Sequence, residues 1–285
     1  MGPLRLRHGV FHASLLARQK WLRHAFGTRR VSPALGQPGS AARLRQVHSD
    51  IVRVIDRPGG ARPTERLPGD ALVTAIPCLV LTVATADCLP VLLADPEHRV
   101  VAAVHAGWRG TLKRIVEKTV GAMRRQFGTD PARIVAAFGP SIQACCYEVG
   151  REVIEEYRSQ FPYASELFRK VEAENPADTM LPRQIMLEHT SFMRNLETGR
   201  GHLDLEEANR RQLLDAGVSP RRIESGAPCT ACRTDLLFSY RKEGPGTGRL
   251  LAAIALLAPV SRAQRNAAAS YLVHGGTPPR PVRSA

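Results

Sequence analysis

The sequence predicts a mixed α+β fold in which β-sheets are flanked by helices. Three observations carry that expectation. Six short apolar runs of strand length crowd into residues 51–138, several separated only by turns. Amphipathic helix patterns are fewer than these strands. The two types do not alternate cleanly as strand and helix, which disfavours a doubly wound parallel sheet.

The elements follow in order. Residues 31–45 are rich in Pro, Gly and Ser and read as a loop. Strand-like runs fall at 51–55, 71–74, 79–84, 91–94, 100–104 and 134–138. Leu112, Ile115, Val116, Val120, Met123 and Phe127 recur at helical spacing, so 111–127 is expected to be one amphipathic helix. A second helix is expected near 151–161. A third is expected near 204–216, capped by Asp204 and stopped at Gly217. Residues 162–200 show no clear pattern. The run 250–257 reads as a buried closing strand, and 260–285 as a helix fragment followed by a disordered tail.

The chain has 285 residues, enough for one large domain or two small ones. No run approaches the length of a membrane span. His8, His12 and Arg18 interrupt any secretory apolar core, so a cytoplasmic location is expected. The net charge is +14. Residues 1–49 hold nine Arg or Lys and no acid, and 244–285 hold five Arg and no acid, so the middle of the chain is neutral overall. Such ends read as solvated tails rather than as a nucleic-acid groove, which needs basic residues gathered on one face of the folded body. The expected organisation is a basic N-terminal segment (1–20), a single catalytic domain (21–257) and a basic Ala/Pro/Arg-rich tail (258–285).

Six cysteines in a chain of this length do not make a disulfide scaffold. Cys229-Thr-Ala-Cys232 could be half a zinc site or a redox pair. No second CxxC completes it, so two ordinary loop thiols are the expectation.

The chemistry-bearing residues stand at strand edges. His48 precedes the run 51–55, Cys88 follows the run 79–84, and His105 closes the run 100–104. Spacings of 40 and 17 residues exclude a zinc-finger knuckle but suit three ligands drawn from separate strands. With an open fourth position, bound water loses a proton near neutral pH. The plain alternatives are a buried thiol and hydrogen-bonded histidines. Cys88 could instead be a nucleophile with His105 as its base and Asp87 as orienting group or acid/base. Gly107, Arg109 and Gly110 precede the expected helix, a setting that suits a phosphate or carboxylate; a plain structural turn is the alternative. Ser239-Tyr-Arg241 forms a second polar cluster, with Arg241 as a helper for the anion.

Several motifs occur in order: Gln46-Val-His48, Asp70-Ala-Leu-Val-Thr74, Ala86-Asp-Cys88-Leu-Pro90, His105-Ala-Gly-Trp-Arg-Gly110, Phe138-Gly-Pro140, Cys146-Tyr-Glu-Val149, Cys229-Thr230 and Ser239-Tyr-Arg241. Together they resemble the YfiH-type laccase-domain family, over about residues 21–257. The resemblance implies a single-domain sandwich of that type and a zinc-binding enzyme acting on purine nucleosides. Family members cleave adenosine, inosine, guanosine and methylthioadenosine with phosphate, and also deaminate adenosine. The family's metal and catalytic residues fall on His48, Cys88 and His105, with Zn2+ expected ahead of Cu2+. Some members are described as editing factors acting on peptidoglycan precursors. One departure is the short stretch 30–45 between Phe26-Gly-Thr-Arg29 and Gln46, which leaves the base and ribose preference open.

The expected partners are therefore purine nucleosides and phosphate, bound by Arg109, Gly107 and Arg241, with neither membrane nor nucleic acid. Three readings compete: an amidase with Cys88 as nucleophile, a copper polyphenol oxidase, and a nucleic-acid-binding protein. A multicopper oxidase needs a further histidine cluster, and the nine histidines here include no His-x-His pair.

Overall fold

A computed structural model describes residues 4–36, 41–56, 67–169 and 199–258. Its elements run β1 (Arg5–Arg7), β2 (Val10–His12), α1 (Ser14–Ala17), β3 (Leu22–Phe26), β4 (Ala41–Ala42), β5 (Val52–Ile55), β6 (Ala71–Thr74), β7 (Val80–Thr85), β8 (Leu89–Asp95) and β9 (Val100–Ala106). Then come α2 (Trp108–Leu112), α3 (Ile115–Phe127), β10 (Val135–Phe138), β11 (Glu148–Gly150), α4 (Arg151–Gln160), β12 (Phe168–Arg169) and β13 (Arg200–Leu203). The last are α5 (Leu205–Asp215), β14 (Ile223–Glu224), α6 (Tyr240–Glu243) and β15 (Leu250–Leu256).

The strands form two six-stranded mixed sheets, ordered β1-β2-β3-β15-β7-β4 and β14-β10-β8-β9-β6-β5, and a small sheet β11-β13-β12. The expected mixed α+β fold is thus present. β8 and β9 pair antiparallel along their whole length and are buried throughout, which is why they read as unbroken apolar runs rather than alternating ones. Their side chains still alternate between two cores. Leu92, Val101 and Ala103 pack toward the first sheet with Phe26, Leu81 and Ile254. Val91, Leu93, Ala102 and Val104 pack on the other side with Ile115, Val116, Met123, Tyr157 and Leu213 of the helices. The result is sheet on sheet on helices, with the second sheet as the middle layer.

Several expectations need correction. The helix expected over 111–127 is two helices, because Arg114 takes a left-handed conformation (φ 63°, ψ 41°) between α2 and α3. The N-terminal segment is not a solvated tail. β1 and β2 form a hairpin that joins β3, and Leu4, Phe11, Ala13 and Leu16 are buried. β7 ends at Thr85 and a new strand, β8, begins at Leu89, so Pro90 stands second in its strand, a position where a missing N–H is tolerated. The third helix is as expected: the Asp204 side chain accepts the Glu207 N–H at 3.0 Å, and Gly217 follows with positive φ. β15 lies in the interior of the first sheet, antiparallel to both β3 and β7. The expected tail, from 259 onward, and most of the unpatterned stretch (170–198) lie outside the described residues.

Candidate active site

The site forms where the chain crosses between the two large sheets. β7 ends at Thr85 in the first sheet and β8 begins at Leu89 in the second, so the turn Ala86-Asp87-Cys88 spans the gap. Beside it is the end of β9, where His105 pairs in register with Pro90. His48 comes from the loop before β5. Both His48 (φ 55°) and Asp87 (φ 87°) adopt positive φ, a conformation that costs about 1–3 kcal/mol and persists only where the surroundings enforce it.

Those surroundings can be named. The Gln46 amide clamps the backbone of Ala84, donating to its carbonyl at 2.7 Å and accepting its N–H at 2.8 Å. Asp70 holds the histidine loop. Its Oδ2 accepts from the Ser49 N–H and hydroxyl, both at 2.6 Å, and its Oδ1 accepts from the His48 N–H at 3.1 Å. The same Oδ1 lies 2.8 Å from His105 Nδ1. Burial alone would raise the Asp70 carboxyl, but the hydrogen bonds from His105 and Ser49 hold it down at about 2, so it is ionised at neutral pH.

With Nδ1 engaged by Asp70, His105 presents Nε2 to the other two groups. The ligand atoms of His48, Cys88 and His105 lie within 4.8 Å of one another, and Cys88 Sγ is 3.7 Å from His48 Nε2. The two imidazoles meet edge to face with centroids 4.8 Å apart. Burial would raise the Cys88 thiol, but the facing His105 charge and hydrogen bonds from both histidines bring it down to about 6. Burial would lower His105, but the Cys88 thiolate and Asp70 carry it up to about 9. A thiolate and two imidazoles converging on one point, one imidazole fixed from behind by a carboxylate, are the donor set of a metal site with room for an outside ligand. Gly107 makes the approach possible: a Cβ there would sit 2.9 Å from Cys88 Sγ and 3.0 Å from His48 Cδ2.

These groups open into a cavity of about 530 Å³, within the usual range for small-molecule sites. His48, Asp87, Cys88, His105 and Arg241 all line it. Asp87 and Cys88 share this pocket because they sit in a turn, not in a straight strand. The Asp87 carboxylate accepts from the Thr230 hydroxyl at 2.6 Å and from the Arg241 N–H at 2.7 Å. The Arg241 guanidinium donates to the Glu148 carbonyl at 2.7 Å and lies over the Tyr147 ring. Arg109 is not among the lining residues. It is exposed on α2, its guanidinium 4.2 Å above the Trp108 ring. The helix behind it is five residues long, so the helix-terminus anion cradle expected there lacks the extended helix that would polarise it.

The sequence assigns no role to Asp70, Thr230, Arg43, Arg249 or Tyr147, and places Tyr240 only within the polar cluster Ser239-Tyr-Arg241. Asp70, Thr230, Tyr147 and Tyr240 lie within motifs of the family resemblance, which give them no contact, and Arg43 and Arg249 carry no local signal. Ile142 and Tyr147 of the cavity wall also pack against a cluster of thiols. Cys145 and Cys146 meet Cys229 and Cys232, all four sulfurs within 4.8 Å, so Cys229 and Cys232 are not isolated loop thiols as expected. Two adjacent cysteines, Cys145 and Cys146, stand where a second CxxC would be needed.

The profile of the multi-copper polyphenol oxidoreductase laccase family matches residues 27–257. Similar proteins include a purine nucleoside phosphorylase of Bacteroides thetaiotaomicron, 40% identical over 65% of this chain and 60% of that protein. Another is the adenosine deaminase RL5 of an unknown prokaryotic organism, 38% identical over 74% of this chain and 72% of that protein. A purine nucleoside phosphorylase of Deinococcus radiodurans is 38% identical over 80% of this chain and 75% of that protein. Among solved structures, YfiH of Bacillus licheniformis superimposes with a TM-score of 0.71 at 26% identity, covering 90% of this chain and all of that one. YlmD of Geobacillus stearothermophilus gives a TM-score of 0.69 at 25% identity, with the same coverage. The chain belongs to the multi-copper polyphenol oxidoreductase laccase family, in the YfiH-like group that includes these enzymes.

Proposed function

We propose that this chain is a zinc-dependent purine nucleoside phosphorylase that cleaves the N-glycosidic bond of adenosine, inosine, guanosine and methylthioadenosine, with adenosine deaminase as a side activity. The observation that carries the reading is the convergence of His48, Cys88 and His105 at a cavity whose wall also holds Arg43, Arg241 and Arg249 and two tyrosines. The names of the relatives supply the substrate class. The metal would supply a Lewis acid to an oxygen of substrate or water. The protein's own groups do the rest. Arg241, with Arg43 and Arg249, holds the phosphate beside the ribose. Arg109, outside the cavity wall and stacked on Trp108, adds only positive charge to the approach of an anion. Tyr240, half exposed at the mouth, offers a face for the purine. A carboxylate has about four acceptor positions, and two of those on Asp87 are used, so it retains capacity to take and return a proton during deamination.

Purine release from adenosine and inosine, with and without phosphate, tests this on protein of measured zinc content. Phosphate-dependent release of free base is expected. His105→Ala should abolish both phosphorolysis and deamination; a folded His105→Ala protein that still deaminates at the parent rate contradicts a shared site. No base release from zinc-loaded protein contradicts the phosphorylase reading.

One observation favours a second reading. Asp70, His105 and Cys88 lie in the order acid, imidazole, thiol, as in a cysteine hydrolase, which suits an amidase acting on peptidoglycan precursors. Thiol alkylation that inactivates without metal loss would favour it, and chelator inhibition would favour the metal. The copper oxidase reading gains no second histidine cluster: among the described residues, the other metal-capable group is cysteine alone. Free thiols fit a reducing, cytoplasmic setting, and among the described residues no helix is long and apolar enough to cross a membrane.

A further inference from the structure

We propose that Cys145, Cys146, Cys229 and Cys232 form a second metal site, a structural zinc bound by four thiolates, that fastens together the two segments carrying one wall of the cavity. The four sulfurs lie within 4.8 Å of one another, with Cys145–Cys232 at 3.5 Å and Cys146–Cys232 at 3.4 Å. A tetrahedral zinc with Zn–S bonds of about 2.3 Å sets its sulfurs about 3.8 Å apart. The observed separations are therefore close to those of a tetrahedral set. They are far longer than the roughly 2.05 Å of a disulfide, and all four cysteines are free.

The backbone is arranged for thiolates. Cys229 Sγ accepts the Gln143 N–H at 3.4 Å, and the N–H groups of Ala231 and Cys232 face the same sulfur. Amides donating to a ligand sulfur are the usual outer support of such a site, and a CxxC loop supplies two of them from its own chain. Four neutral thiols at these distances would have few hydrogen bonds to offer one another, whereas a divalent cation satisfies all four. Binding releases the thiol protons to solvent and leaves a compact anionic centre.

The location gives the consequence. One ligand pair follows Ser141 and Ile142 and precedes Tyr147; the other flanks Thr230 and leads to Arg241. Ile142, Tyr147 and Arg241 line the cavity, and Thr230 and Arg241 hold the Asp87 carboxylate. Protein contacts already join the strips: Thr230 N–H donates to the Ser141 carbonyl at 3.0 Å, and Ile142, Cys229 and Ala231 share a small apolar cluster. The ligands are 86 and 87 residues apart in sequence. A metal link across so long a loop restrains the unfolded chain strongly.

The test counts zinc on the full chain, purified under reducing conditions, by native mass spectrometry. It compares the parent protein with His105→Ala and Cys232→Ser. His105→Ala should retain one zinc, with four sulfur neighbours at about 2.3 Å by X-ray absorption. Cys232→Ser should lose that zinc, keep the one at His48, Cys88 and His105, and melt at a lower temperature. Because a variant can fail to fold, the metal-free parent protein is also titrated with Co2+. A thiolate-to-cobalt charge-transfer band of a four-sulfur tetrahedral centre is expected. The proposal is overturned if His105→Ala holds no zinc or holds it through nitrogen and oxygen. It is equally overturned if cobalt gives no four-sulfur spectrum, or if Cys145 or Cys146 is disulfide-bonded to Cys232 in freshly reduced protein. Failure of the nucleoside reading would leave the His105→Ala zinc unchanged, so the two outcomes are separable.

Discussion

An added methyl at Gly107 would fall 2.9 Å from Cys88 Sγ and 3.0 Å from His48 Cδ2, on two groups that Asp70 and Gln46 leave little freedom to yield. Overpacking of this kind costs about 1–3 kcal/mol. Gly107→Ala should therefore weaken zinc binding by roughly 10–100-fold with a smaller effect on stability; competition with a chelator of known affinity checks it, and an unchanged affinity contradicts it. Asp70→Asn acts from behind the ligands. It removes the negative charge that orients His105 and replaces one acceptor with a donor facing the Val47–Ser49 amides. Loss of such a partner costs about 10–100-fold in metal affinity, and an unperturbed affinity would show that His105 needs no such support. His48, Cys88 and His105, the candidate metal ligands, stood out in the sequence because each lies at a strand edge among turn residues. Asp70 did not: its partners lie 21 to 35 residues away, and a hydrogen bond across a loop leaves no periodic trace. The four-cysteine group was missed for the same reason, since adjacent cysteines carry no ligand spacing.

At the scale of elements, apolar period identified β5 to β10 and α3 to α5 well, because burial on one or both faces imposes it. It missed the break at Arg114, where tertiary contacts override local preference. The Arg114 guanidinium pairs with Glu117 at 3.0 Å, donates to the Gln160 carbonyl at 3.2 Å and lies over Phe161. It also missed β3, whose Arg23 and His24 disguise a buried strand. His24 gives that strand a titratable weak point. Burial pushes its imidazole down to about 3, with nearby His12 adding to the effect. Its Nε2 accepts the Ala13 N–H at 2.9 Å, which requires the neutral ring. In the unfolded chain a histidine titrates near 6.5. Below that pH the unfolded state takes up a proton that the folded state refuses, so stability falls as pH falls toward 3, by at most about 1.4 kcal/mol per unit. Above 6.5 this group adds no pH dependence. Denaturant midpoints between roughly pH 6 and 4.5 should drop in the parent protein and drop less in His24→Gln, which keeps an acceptor without the titration; equal slopes would assign the acid sensitivity elsewhere.

For the whole molecule, the N-terminal residues show why a charge count misreads a tail. Arg5 and Arg7 are exposed, yet on either side of them Leu4, Phe11, Ala13 and Leu16 enter the core between the two sheets. Composition records the exposed cations, while the buried positions flanking them are too few and too scattered to stand out. α1 then ties the first sheet to the second, because Ser14 and Leu15 N–H groups donate to the Glu224 carboxylate in β14 at 2.7 and 2.6 Å. The segment therefore closes one end of the sandwich. Each of its large apolar side chains contributes about 1.5–3 kcal/mol by burial, against a total stability of about 5–15 kcal/mol for a typical domain. Removing residues 1–20 should thus leave a chain that is unfolded or insoluble, not a trimmed domain. The milder Phe11→Ala should cost about 3–5 kcal/mol and lower the melting temperature by roughly 6–20 °C. None of residues 4–20 lines the cavity, so Phe11→Ala protein assayed well below its melting point should keep its turnover per folded molecule. A truncated chain that melts with the full-length protein would show that the hairpin and α1 add nothing to the core they complete.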